Sequence, residues 1–334
     1  MPMKICVTGA NGFLASNLIR ELLSRGHEIV AFIKTGEDIS TIKDLYIDFR
    51  YGDILDYNSV LEAINGCGAL IHCAAITSVY PSRSKTQYKV NVEGTLNVMN
   101  AALEKNLSRV LHIGTANSFG FGTKENPGDE NSPYSSARYK LDYIDTKYEA
   151  QQKVLELIKN RNLPAVILNP TFMLGRYCVI TGSGQMLFAI KDRKTPGYAK
   201  GGRNFIYVKD VAVAVANALT MGRTGECYIL GNINLSYKEI FSKMADAAGV
   251  PPPKIYVPGF VALLTGFMIE TTARIFGFTP ALTYRMARVS EDYNYYSAEK
   301  AIRELKLPQT PIEIAINEAY EWMALKNQSE RHDR

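Results

Sequence analysis

Apolar positions along the chain follow two alternating patterns. Short continuous apolar runs are typical of buried strands, and apolar residues that recur every three or four positions are typical of amphipathic helices. The runs lie at 4–8, 28–33, 69–75, 109–113 and 165–168, and the helical spacing is clearest over 14–22, 88–103 and 137–160. Strands and helices therefore alternate, which predicts an α/β fold built on a doubly wound parallel sheet.

The second half of the chain is less regular. Residues 181–203 are rich in Gly and Lys and predict a loop with one short helix, whereas 211–219 predict a helix that returns to the first sheet. The segment 260–288 is unusually apolar, so we expect most of it to be core. The alternatives are that part of it lines a substrate pocket or touches a membrane surface. Residues 327–334 predict a disordered, charged tail.

The composition is that of an ordinary globular protein. The chain has 334 residues, 46% hydrophobic and 21% charged, and a formal net charge of +5. This charge is not concentrated in a basic run, so we expect no nucleic-acid partner. Five cysteines without Cys-x-x-Cys spacing predict reduced core thiols, a cytoplasmic location and no metal site. We expect no signal peptide, because the first residues form a core strand, and no membrane-spanning segment, because the longest apolar stretch is too short.

A glycine-rich turn joins the first predicted strand to the first predicted helix. Residues 8–15 read TGANGFLA. Gly9 permits a sharp reversal, Gly12 lets backbone N–H groups approach a pyrophosphate, and Ala15 lets the helix lie close to the sheet. The N-terminus of the helix then attracts the anion. The spacing matches the general dinucleotide fingerprint only loosely, so a purely structural connection is the alternative.

Residues at the ends of the next strands suit the adenosine half of a dinucleotide. Lys34 follows the second strand, where a basic residue favours the 2′-phosphate of NADP and an acidic residue favours NAD. A solvated loop lysine is the alternative. Asp53 follows the third strand and can accept from the adenine amino group, unless it is an N-cap or turn residue. Ala74 and Ala75 are small enough to let the ribose and phosphates pass close, and we interpret His72 as a satisfied core histidine.

Tyr143 and Lys147 are the candidate acid/base pair. They stand four residues apart, so on a helix they share one face. An ammonium beside a phenol favours the phenolate, which brings a group of reference pKa about 10 into use near neutrality. A Tyr-x-x-x-Lys motif is expected about once by chance in this chain, so its weight comes from its order. It follows a strand that ends at Thr115, whose hydroxyl can orient both the phenol and a substrate oxygen.

Further motifs accompany these residues in a fixed order. They are Gly52-Asp53, His72-Cys73-Ala74-Ala75, Asn91-Val92-x-Gly94-Thr95, Asn169-Pro170-Thr171 and Phe205-Ile206-Tyr207-Val208-x-Asp210-Val211-Ala212. Together with the glycine turn and the Tyr-Lys pair, they resemble the extended short-chain dehydrogenase/reductase superfamily, NAD-dependent epimerase/dehydratase group, over residues 1 to about 325. Within that group the chain is most similar to the dihydroflavonol-4-reductase-like and 3β-hydroxysteroid-dehydrogenase-like branch.

The resemblance implies a Rossmann doubly wound parallel sheet, a smaller C-terminal α/β substrate domain and hydride transfer at a nicotinamide. It implies that Tyr143 is the acid/base, that Lys147 also holds the ribose, and that Thr115 takes the usual serine position. The implied cofactor site comprises Gly9, Asn11, Gly12, Phe13, Leu14, Lys34, Asp53, Ile54, Cys73, Ala74, Ala75, Asn91, Tyr143, Lys147 and Pro170. We expect NADP(H) to be preferred, with NAD(H) as the alternative.

Departures from the family pattern bear on the substrate. Ala116-Asn117 stand where sugar-nucleotide dehydratases of this family have an Asp-Glu pair, so dehydration is not expected. Phe172 stands where the sugar epimerases tend to have Asn, which favours an apolar substrate. Arg203 falls where those epimerases hold a diphosphate, and a surface arginine in a Gly-rich turn is its alternative. With Ser78, these two residues are the candidate substrate contacts.

The leading hypothesis is an NADP-dependent oxidoreductase that acts on a carbonyl or alcohol of a small-molecule substrate. A nucleotide-sugar 4-epimerase with tightly bound NAD and a non-catalytic cofactor-sensing protein are the alternatives. We predict a Rossmann domain at 1–168 with a returning segment at about 204–224, and a substrate domain at 169–203 and 225–326. The resemblance also implies a homodimer through the helices that contain 91–103 and 148–159.

Overall fold

The computed structural model describes residues 2–178 and 182–332. The strands are β1 (Lys4–Thr8), β2 (Glu28–Ile33), β3 (Asp48–Tyr51), β4 (Ala69–His72), β5 (Arg109–Ile113), β6 (Ala165–Pro170), β7 (Phe172–Leu174), β8 (Gly197–Tyr198), β9 (Gly202–Tyr207), β10 (Cys227–Leu230), β11 (Ile233–Ser236), β12 (Ile255–Tyr256) and β13 (Tyr293–Asn294). The helices are α1 (Phe13–Ser24), α2 (Tyr57–Ala63), α3 (Lys85–Tyr88), α4 (Thr95–Glu104), α5 (Asp142–Arg161), α6 (Ser183–Lys191), α7 (Val208–Met221), α8 (Tyr237–Ala248), α9 (Gly259–Phe276), α10 (Tyr284–Ser290), α11 (Glu299–Leu305) and α12 (Ile312–His332).

Seven parallel strands form the large sheet, in the order β10-β6-β5-β4-β1-β2-β3. The strand order reverses between β1 and β4, which pair in parallel. In open α/β sheets, ligands bind in the crevice outside the carboxyl ends of the strands at such a reversal. The predicted α/β fold with a parallel sheet is confirmed, and the crevice lies beside Thr8 and His72, the last residues of these two strands.

Both faces of the large sheet are covered by helices. Ile5 and Val7 of β1 belong to one apolar cluster with α1 and α7, whereas Cys6 belongs to a second cluster with α2, α4 and α5. Because side chains of a strand alternate between the two faces, burial on both sides makes the strand a continuous apolar run. The packing of α7 against α1 returns this segment to the large sheet, as predicted.

Two predicted helices have different boundaries in the structure. The helical spacing over 88–103 corresponds to α3 and α4, which are joined by a π-helical turn at Lys89–Gly94. The helix expected to begin near Ala137 begins instead at Asp142, after a 3₁₀ turn at Ser136–Tyr139. Lys140 separates the two with a left-handed φ of 53°, a conformation that ends a helix.

A second sheet contains the strand order β11-β9-β13, with β7 also paired to β9, and β8 pairs separately with β12. Sheet membership differs from the predicted domain boundaries at two places. The strand β9 lies in the second sheet although 204–224 was assigned to the first domain, and β10 lies in the large sheet although 225–326 was assigned to the second. The chain therefore passes between the sheets more often than the sequence indicates.

Asn204 of β9 hydrogen-bonds to residues in the short segments that connect the two sheets. Its Oδ1 accepts from the Thr171 hydroxyl at 2.8 Å and from the Asn232 N–H at 3.0 Å. Its Nδ2 donates to Asn234 Oδ1 at 2.8 Å and to the Tyr296 carbonyl at 3.2 Å. Thr171 joins β6 to β7, and Asn232 joins β10 to β11. A buried polar side chain is favourable only when it is hydrogen-bonded, and this one uses both ends of its amide.

The apolar C-terminal segment is not the core that the sequence predicts. Only Ala262, Gly266 and Ala273 of α9 are buried, and most of its large apolar side chains are exposed. That prediction is wrong for α9, because helical spacing alone does not show whether another element covers the helix.

The other expectations for loops, tail and cysteines have mixed outcomes. Residues 327–332, expected to be disordered, continue α12, whereas 333–334 lie outside the described residues. The expected loop over 181–203 contains α6 and β8, and residue 181 lies outside the described ranges. All five cysteines are free thiols, as predicted, although only Cys6 and Cys178 are fully buried.

Candidate active site

The glycine turn has a geometry that only glycine satisfies at its first position. Gly9 has φ +62°, and a Cβ placed there would lie 2.7 Å from the Cα of Ala74. The N–H of Gly9 donates to the Phe32 carbonyl at 2.9 Å, and that of Gly12 donates to the Gly9 carbonyl at 3.0 Å. The turn therefore lies directly against the chain that follows β4.

The N-terminus of α1 is suited to a phosphate group. Gly12 is the N-cap residue, and no side chain among the described residues caps this helix. The first-turn N–H groups of a helix have no intrahelical partner, so those of Phe13 and Leu14 are left for an anion. Ala15 is buried against the sheet, as the turn motif requires. A dinucleotide pyrophosphate fits this cradle of glycines and free N–H groups.

Asn11 connects the glycine turn to the loop after β2. Its Nδ2 donates to the Asp38 carbonyl at 2.9 Å, and its own carbonyl accepts from the Thr41 hydroxyl at 3.2 Å. The loop that carries Lys34 is therefore held beside the phosphate cradle. This is a positioning role for Asn11 in addition to the cofactor contact predicted for it.

Lys34 and Asp53 face each other across the ends of β2 and β3. The Lys34 ammonium lies 3.5 Å from Asp53 Oδ2, at the protein surface. Asp53 Oδ1 accepts from the Leu55 N–H at 2.9 Å, which is a turn contact, whereas the N-cap of α2 is Asp56. The structure thus brings together the two residues predicted for the adenosine half, and Asp53 also has the turn role that was its alternative. Ile54 beside them is buried.

Asn91 joins the segment after β4 to the helix that carries the candidate acid/base pair. Its Oδ1 accepts from the Ile76 N–H at 2.8 Å, and its Nδ2 donates to the Ile76 carbonyl and to Thr146 Oγ1, each at 3.0 Å. The neighbouring Ala74 N–H donates to Thr8 Oγ1 at 3.3 Å. Ala74 and Ala75 are therefore held at the crevice from both sides.

The Thr115 hydroxyl and the positive charge of Arg203 both act on the Tyr143 phenol. Burial raises the pKa of Tyr143, while Thr115 and Arg203 lower it and offset part of the rise. The charge that was expected from Lys147 comes here from Arg203. Two predicted site residues from opposite halves of the chain thus act on one phenol.

Lys147 is buried one helical turn further along α5. Its Nζ donates to the Ile113 carbonyl at 2.5 Å, at the end of β5. Burial lowers the pKa of Lys147 to about 8, opposed by the Cys73 thiol, and burial raises the pKa of Cys73 to about 12. Lys147 is therefore fixed to the sheet edge from which Thr115 follows two residues later.

Thr115 is held by a residue that the sequence analysis did not place in the site. The Thr115 N–H donates to Asn169 Oδ1 at 3.1 Å, and Thr115 Oγ1 also accepts from the Asn117 N–H at 3.3 Å. Asn169 precedes Pro170 at the end of β6, where Pro170 pairs with Leu230. The Asn-Pro dipeptide is a motif of the sequence, but its contact with Thr115 depends on the pairing of β5 with β6.

Phe172 and Arg203 lie together on the second sheet. The Arg203 guanidinium carbon is 5.3 Å from the centre of the Phe172 ring, and its Nε donates to the Tyr237 hydroxyl at 2.9 Å. Arg203 is half-buried in β9, which excludes a freely solvated surface arginine. The Phe172 ring packs edge-on against Phe205. This part of the site thus combines an aromatic wall with one cation.

Tyr296 was not predicted for the site. It is buried, and its hydroxyl has no hydrogen-bond partner within the described part of the chain. Burial raises the pKa of Tyr296, and the positive charge of Arg203 lowers it in part, as it does for Tyr143. Buried hydroxyls usually have partners, so this group is available to a bound molecule. Three tyrosines lie close together in the sequence, at 293, 295 and 296, and the sequence alone does not indicate which of them is buried near Arg203.

Ser78 takes part in a local turn rather than pointing freely into the site. Its hydroxyl donates to the Tyr80 carbonyl at 2.5 Å and accepts from the Tyr80 N–H at 3.3 Å. The adjacent Val79 packs against the same apolar cluster as Tyr143, which contains Val289. The structure thus brings the segment of Ser78 near the phenol through its apolar neighbour.

A buried polar layer lies between the sheet and α5. His72 is hydrogen-bonded to Thr8 Oγ1 at 2.8 Å and to Thr95 Oγ1 at 2.9 Å, as a satisfied core histidine should be. His112, which the sequence analysis did not single out, stacks on His72 at 5.6 Å between ring centres. Burial lowers the pKa of both, to about 3 for His72, so both rings are neutral near pH 7. Within the described ranges no cluster of His, Cys, Asp or Glu could hold a metal ion.

Comparisons with known proteins give a family and several relatives that this chain resembles. Residues 5–231 match the model of the NAD dependent epimerase/dehydratase family. A putative dihydroflavonol 4-reductase from Synechocystis sp. is 31% identical over 95% of this chain and 93% of its own length. Sterol demethylase protein B from Methylococcus capsulatus is 26% identical over 96% of this chain and 98% of its own. A crystal structure of the protein gox2253 is 33% identical, with a TM-score of 0.85 over 96% of this chain and 98% of that one.

Proposed function

This chain belongs to the NAD-dependent epimerase/dehydratase family, and on that premise we propose that it is an NADP-preferring oxidoreductase that interconverts a carbonyl and an alcohol on a partly apolar small molecule. The predicted membership of the extended short-chain dehydrogenase/reductase superfamily is confirmed, and with it the assignment as an NAD(P)-dependent enzyme. One observation carries the proposal: Thr115 and the Arg203 cation of the second sheet both lower the pKa of the Tyr143 phenol, and Arg203 lies over the Phe172 ring.

The residues present can perform the proton chemistry of such a reaction. When bound, the nicotinamide supplies or accepts the hydride. Tyr143 gives its proton to the substrate oxygen in reduction and takes it back in oxidation, and the Thr115 hydroxyl hydrogen-bonds the same oxygen. The phenolate that remains after reduction is stabilised by the positive charge of Arg203. Lys147, fixed on the end of β5, holds the ribose.

The surroundings of the phenol favour an apolar substrate. Tyr143 and Val79 pack against an apolar cluster that contains Val289, and Phe172 lies beside the Arg203 cation that acts on the phenol. Two relatives are named for a dihydroflavonol and a sterol, which are both fused or linked ring systems. Arg203 suits a diphosphate as well, so a nucleotide sugar is the second substrate class to be tested.

We infer that the large sheet with α1 to α5 and α7 forms the cofactor domain and that the second sheet walls the substrate. We also propose a homodimer formed through the outer faces of α4 and α5. These helices lie side by side, and the Arg161 guanidinium of α5 donates to Asn100 Oδ1 of α4 at 2.6 Å. Five free cysteine thiols support a reducing, cytoplasmic location.

The proposed activity is tested by incubating the full chain with NADPH and a panel of cyclic and aromatic ketones, and following NADPH absorbance. We expect net NADPH oxidation with at least one apolar ketone, and the reverse reaction with the matching alcohol and NADP⁺. UDP-glucose and UDP-galactose form the control panel. Their interconversion without net cofactor consumption would assign the epimerase instead, and NADPH binding with neither activity would favour a cofactor sensor.

A Lys34→Ala variant tests the choice of cofactor. We expect the Kd for NADPH to rise about tenfold, because a charged hydrogen bond contributes about 1.5–3 kcal/mol and part of it is screened at this exposed site. The Kd for NADH should not change. The ion pair with Asp53 does not prevent the interaction, since exposed pairs contribute about 0–1 kcal/mol and a phosphate can replace the carboxylate.

Fluorescence titration with both cofactors gives the two constants for the cofactor test. Lys105→Ala removes an exposed lysine remote from the crevice and serves as the matched control. Equal NADPH affinity in Lys34→Ala and the wild type, or a wild type that binds NADH more tightly, would contradict the NADP preference.

A further inference from the structure

An exposed apolar surface covers one side of α9. The large side chains Phe260, Leu264, Phe267, Met268 and Ile275 recur at helical spacing along it, and Leu264 and Met268 are 59% and 60% exposed. By length and composition the helix could cross a membrane, with a mean hydropathy of 1.3, yet only 17% of it is buried. Contiguous exposed apolar patches on a protein mark contacts with another body. We refer to these five residues as the α9 surface.

The opposite side of α9 is fixed to the fold. A Cβ on Gly266 would lie 2.7 Å from the Thr283 carbonyl oxygen, so the helix lies directly on the chain that begins α10. Before α9, the strand β12 pairs with β8 of the same fold. The start of the helix and its middle are therefore held on one side of the protein, and α9 lies along its surface with the apolar side chains outward.

The charge along the segment that forms the α9 surface is positive. Residues 247–291 contain four cations, Lys254, Arg274, Arg285 and Arg288, and two carboxylates, of which Glu291 lies against Gly259 at the start of α9, so the segment has a net charge of +2. Apolar and aromatic side chains flanked by Lys and Arg are the composition of a helix that lies in the interface of an anionic bilayer. A second copy of the chain would place like charges opposite one another across a two-fold contact.

A surface cavity lies within this region. It has a volume of about 190 Å³ and is lined by Phe267, Glu270, Thr271, Arg274, Tyr284 and Arg285. Arg274 lies 3.8 Å from Glu270, so a phosphate would replace that carboxylate beside its guanidinium. Two guanidinium groups beside a phenylalanine suit a phosphate attached to an apolar chain, since Arg binds phosphate oxygens and the ring faces the hydrocarbon. The cavity and the helix beside it therefore both suit an anionic lipid.

The α9 surface is continuous with the candidate active site. The next helix, α10, contributes Val289 to the apolar cluster of Tyr139, Leu141 and Ile144, against which Tyr143 packs. Arg285 of α10 also donates to the Tyr139 carbonyl at 3.1 Å. The helix α10 thus connects the α9 surface to the apolar cluster against which Tyr143 packs.

We propose that α9 docks the enzyme on the surface of an anionic lipid bilayer and that the enzyme takes its substrate from that bilayer. The docking rests on the exposed helix, the net positive charge and the arginine-lined cavity. The second part rests on the proposed function, because only an apolar substrate would be dissolved in lipid.

Vesicle flotation of the full chain tests the docking. We compare vesicles of phosphatidylcholine alone with vesicles that also contain phosphatidylglycerol, and expect binding to the second kind. The double variant Leu264→Gln/Met268→Gln should bind at least tenfold more weakly, because two side chains no longer enter the apolar layer. Arg274→Gln should bind about fivefold more weakly, since each cation near an anionic surface contributes about 1 kcal/mol.

The matched control is Ile314→Gln/Leu325→Gln, which changes two half-exposed apolar residues on α12 and should bind as the wild type does. Failure of the wild type to float with anionic vesicles, or equal flotation of the α9 double variant, would overturn the docking. Sedimentation that shows a dimer of the wild type and a monomer of the double variant would assign the surface to a second copy and overturn it too.

Turnover of a soluble ketone without vesicles separates this proposal from the proposed function. The α9 variants should retain that turnover, because none of the substituted residues touches the phenol. Binding to anionic vesicles without turnover of the ketone would support the membrane contact and reject the oxidoreductase. Turnover without binding to vesicles would support the oxidoreductase and reject the membrane contact.

Discussion

Replacing Tyr143 by Phe should lower kcat by about 10²–10⁴-fold, the contribution typical of a positioned general acid, while the Kd for NADPH stays within about twofold of the wild type. The substitution removes one oxygen atom from a half-buried ring and its interaction with Thr115, and it changes no apolar packing. The substrate oxygen then has no proton donor of comparable position. Steady-state turnover and cofactor titration on the same preparation measure the two quantities.

Tyr57→Phe is the matched control for this variant. The Tyr57 hydroxyl also donates a hydrogen bond, to Glu104 at 2.6 Å, but it lies on α2 at the protein surface. Its loss should leave turnover unchanged. A Tyr143→Phe enzyme that keeps more than about a tenth of wild-type kcat would show that this phenol is not the acid/base.

Gly9→Ala should destabilise the fold by about 2–4 kcal/mol and weaken NADPH binding by at least about tenfold. The added Cβ would lie 2.7 Å from the Cα and 2.9 Å from the N of Ala74, so backbone must move, and the φ of +62° adds the strain of a left-handed residue. Movement of either segment displaces the phosphate cradle. Urea unfolding gives the free energy of unfolding, and fluorescence titration gives the Kd.

Gly66→Ala separates the cost of a left-handed backbone from the cost of a steric clash. Gly66 has φ +77° and nothing within 4 Å of the position of a Cβ, so this variant pays only for the left-handed conformation, about 1–2 kcal/mol. Its NADPH affinity should equal that of the wild type. If Gly9→Ala and Gly66→Ala behaved alike in both measurements, the close approach of Ala74 would have no energetic consequence.

The sequence predicts well those elements that depend on local contacts and those strands that are buried on both faces. The strand Glu28–Ile33 is buried on both faces, so its apolar run ends where the strand ends. The glycine turn and the four-residue spacing of Tyr143 and Lys147 are local as well, and their order along the chain identified the family. For such elements, each residue's environment is decided by near neighbours.

The remaining features depend on contacts between distant parts of the chain. That Arg203 lies over the Phe172 ring follows from the pairing of β9 with β7, and that Asn169 holds Thr115 follows from the pairing of β5 with β6. The start of α5 was predicted too early because Lys140 adopts a left-handed conformation, which is uncommon for lysine and is not predicted by its residue type. The exposure of α9 was missed because an apolar helix has the same sequence whether protein, lipid or water surrounds it.

The short connections between the two sheets have a consequence for how a substrate is enclosed. Thr171 alone separates β6 from β7, β9 runs straight into α7, and two residues join β10 to β11. A hinge needs a few free residues that can absorb a change of backbone angle, and Asn204 bonds two of these three connections to one another. The crevice is therefore a preformed cleft with fixed walls, and discrimination among substrates comes from the shape of those walls rather than from closure around the molecule.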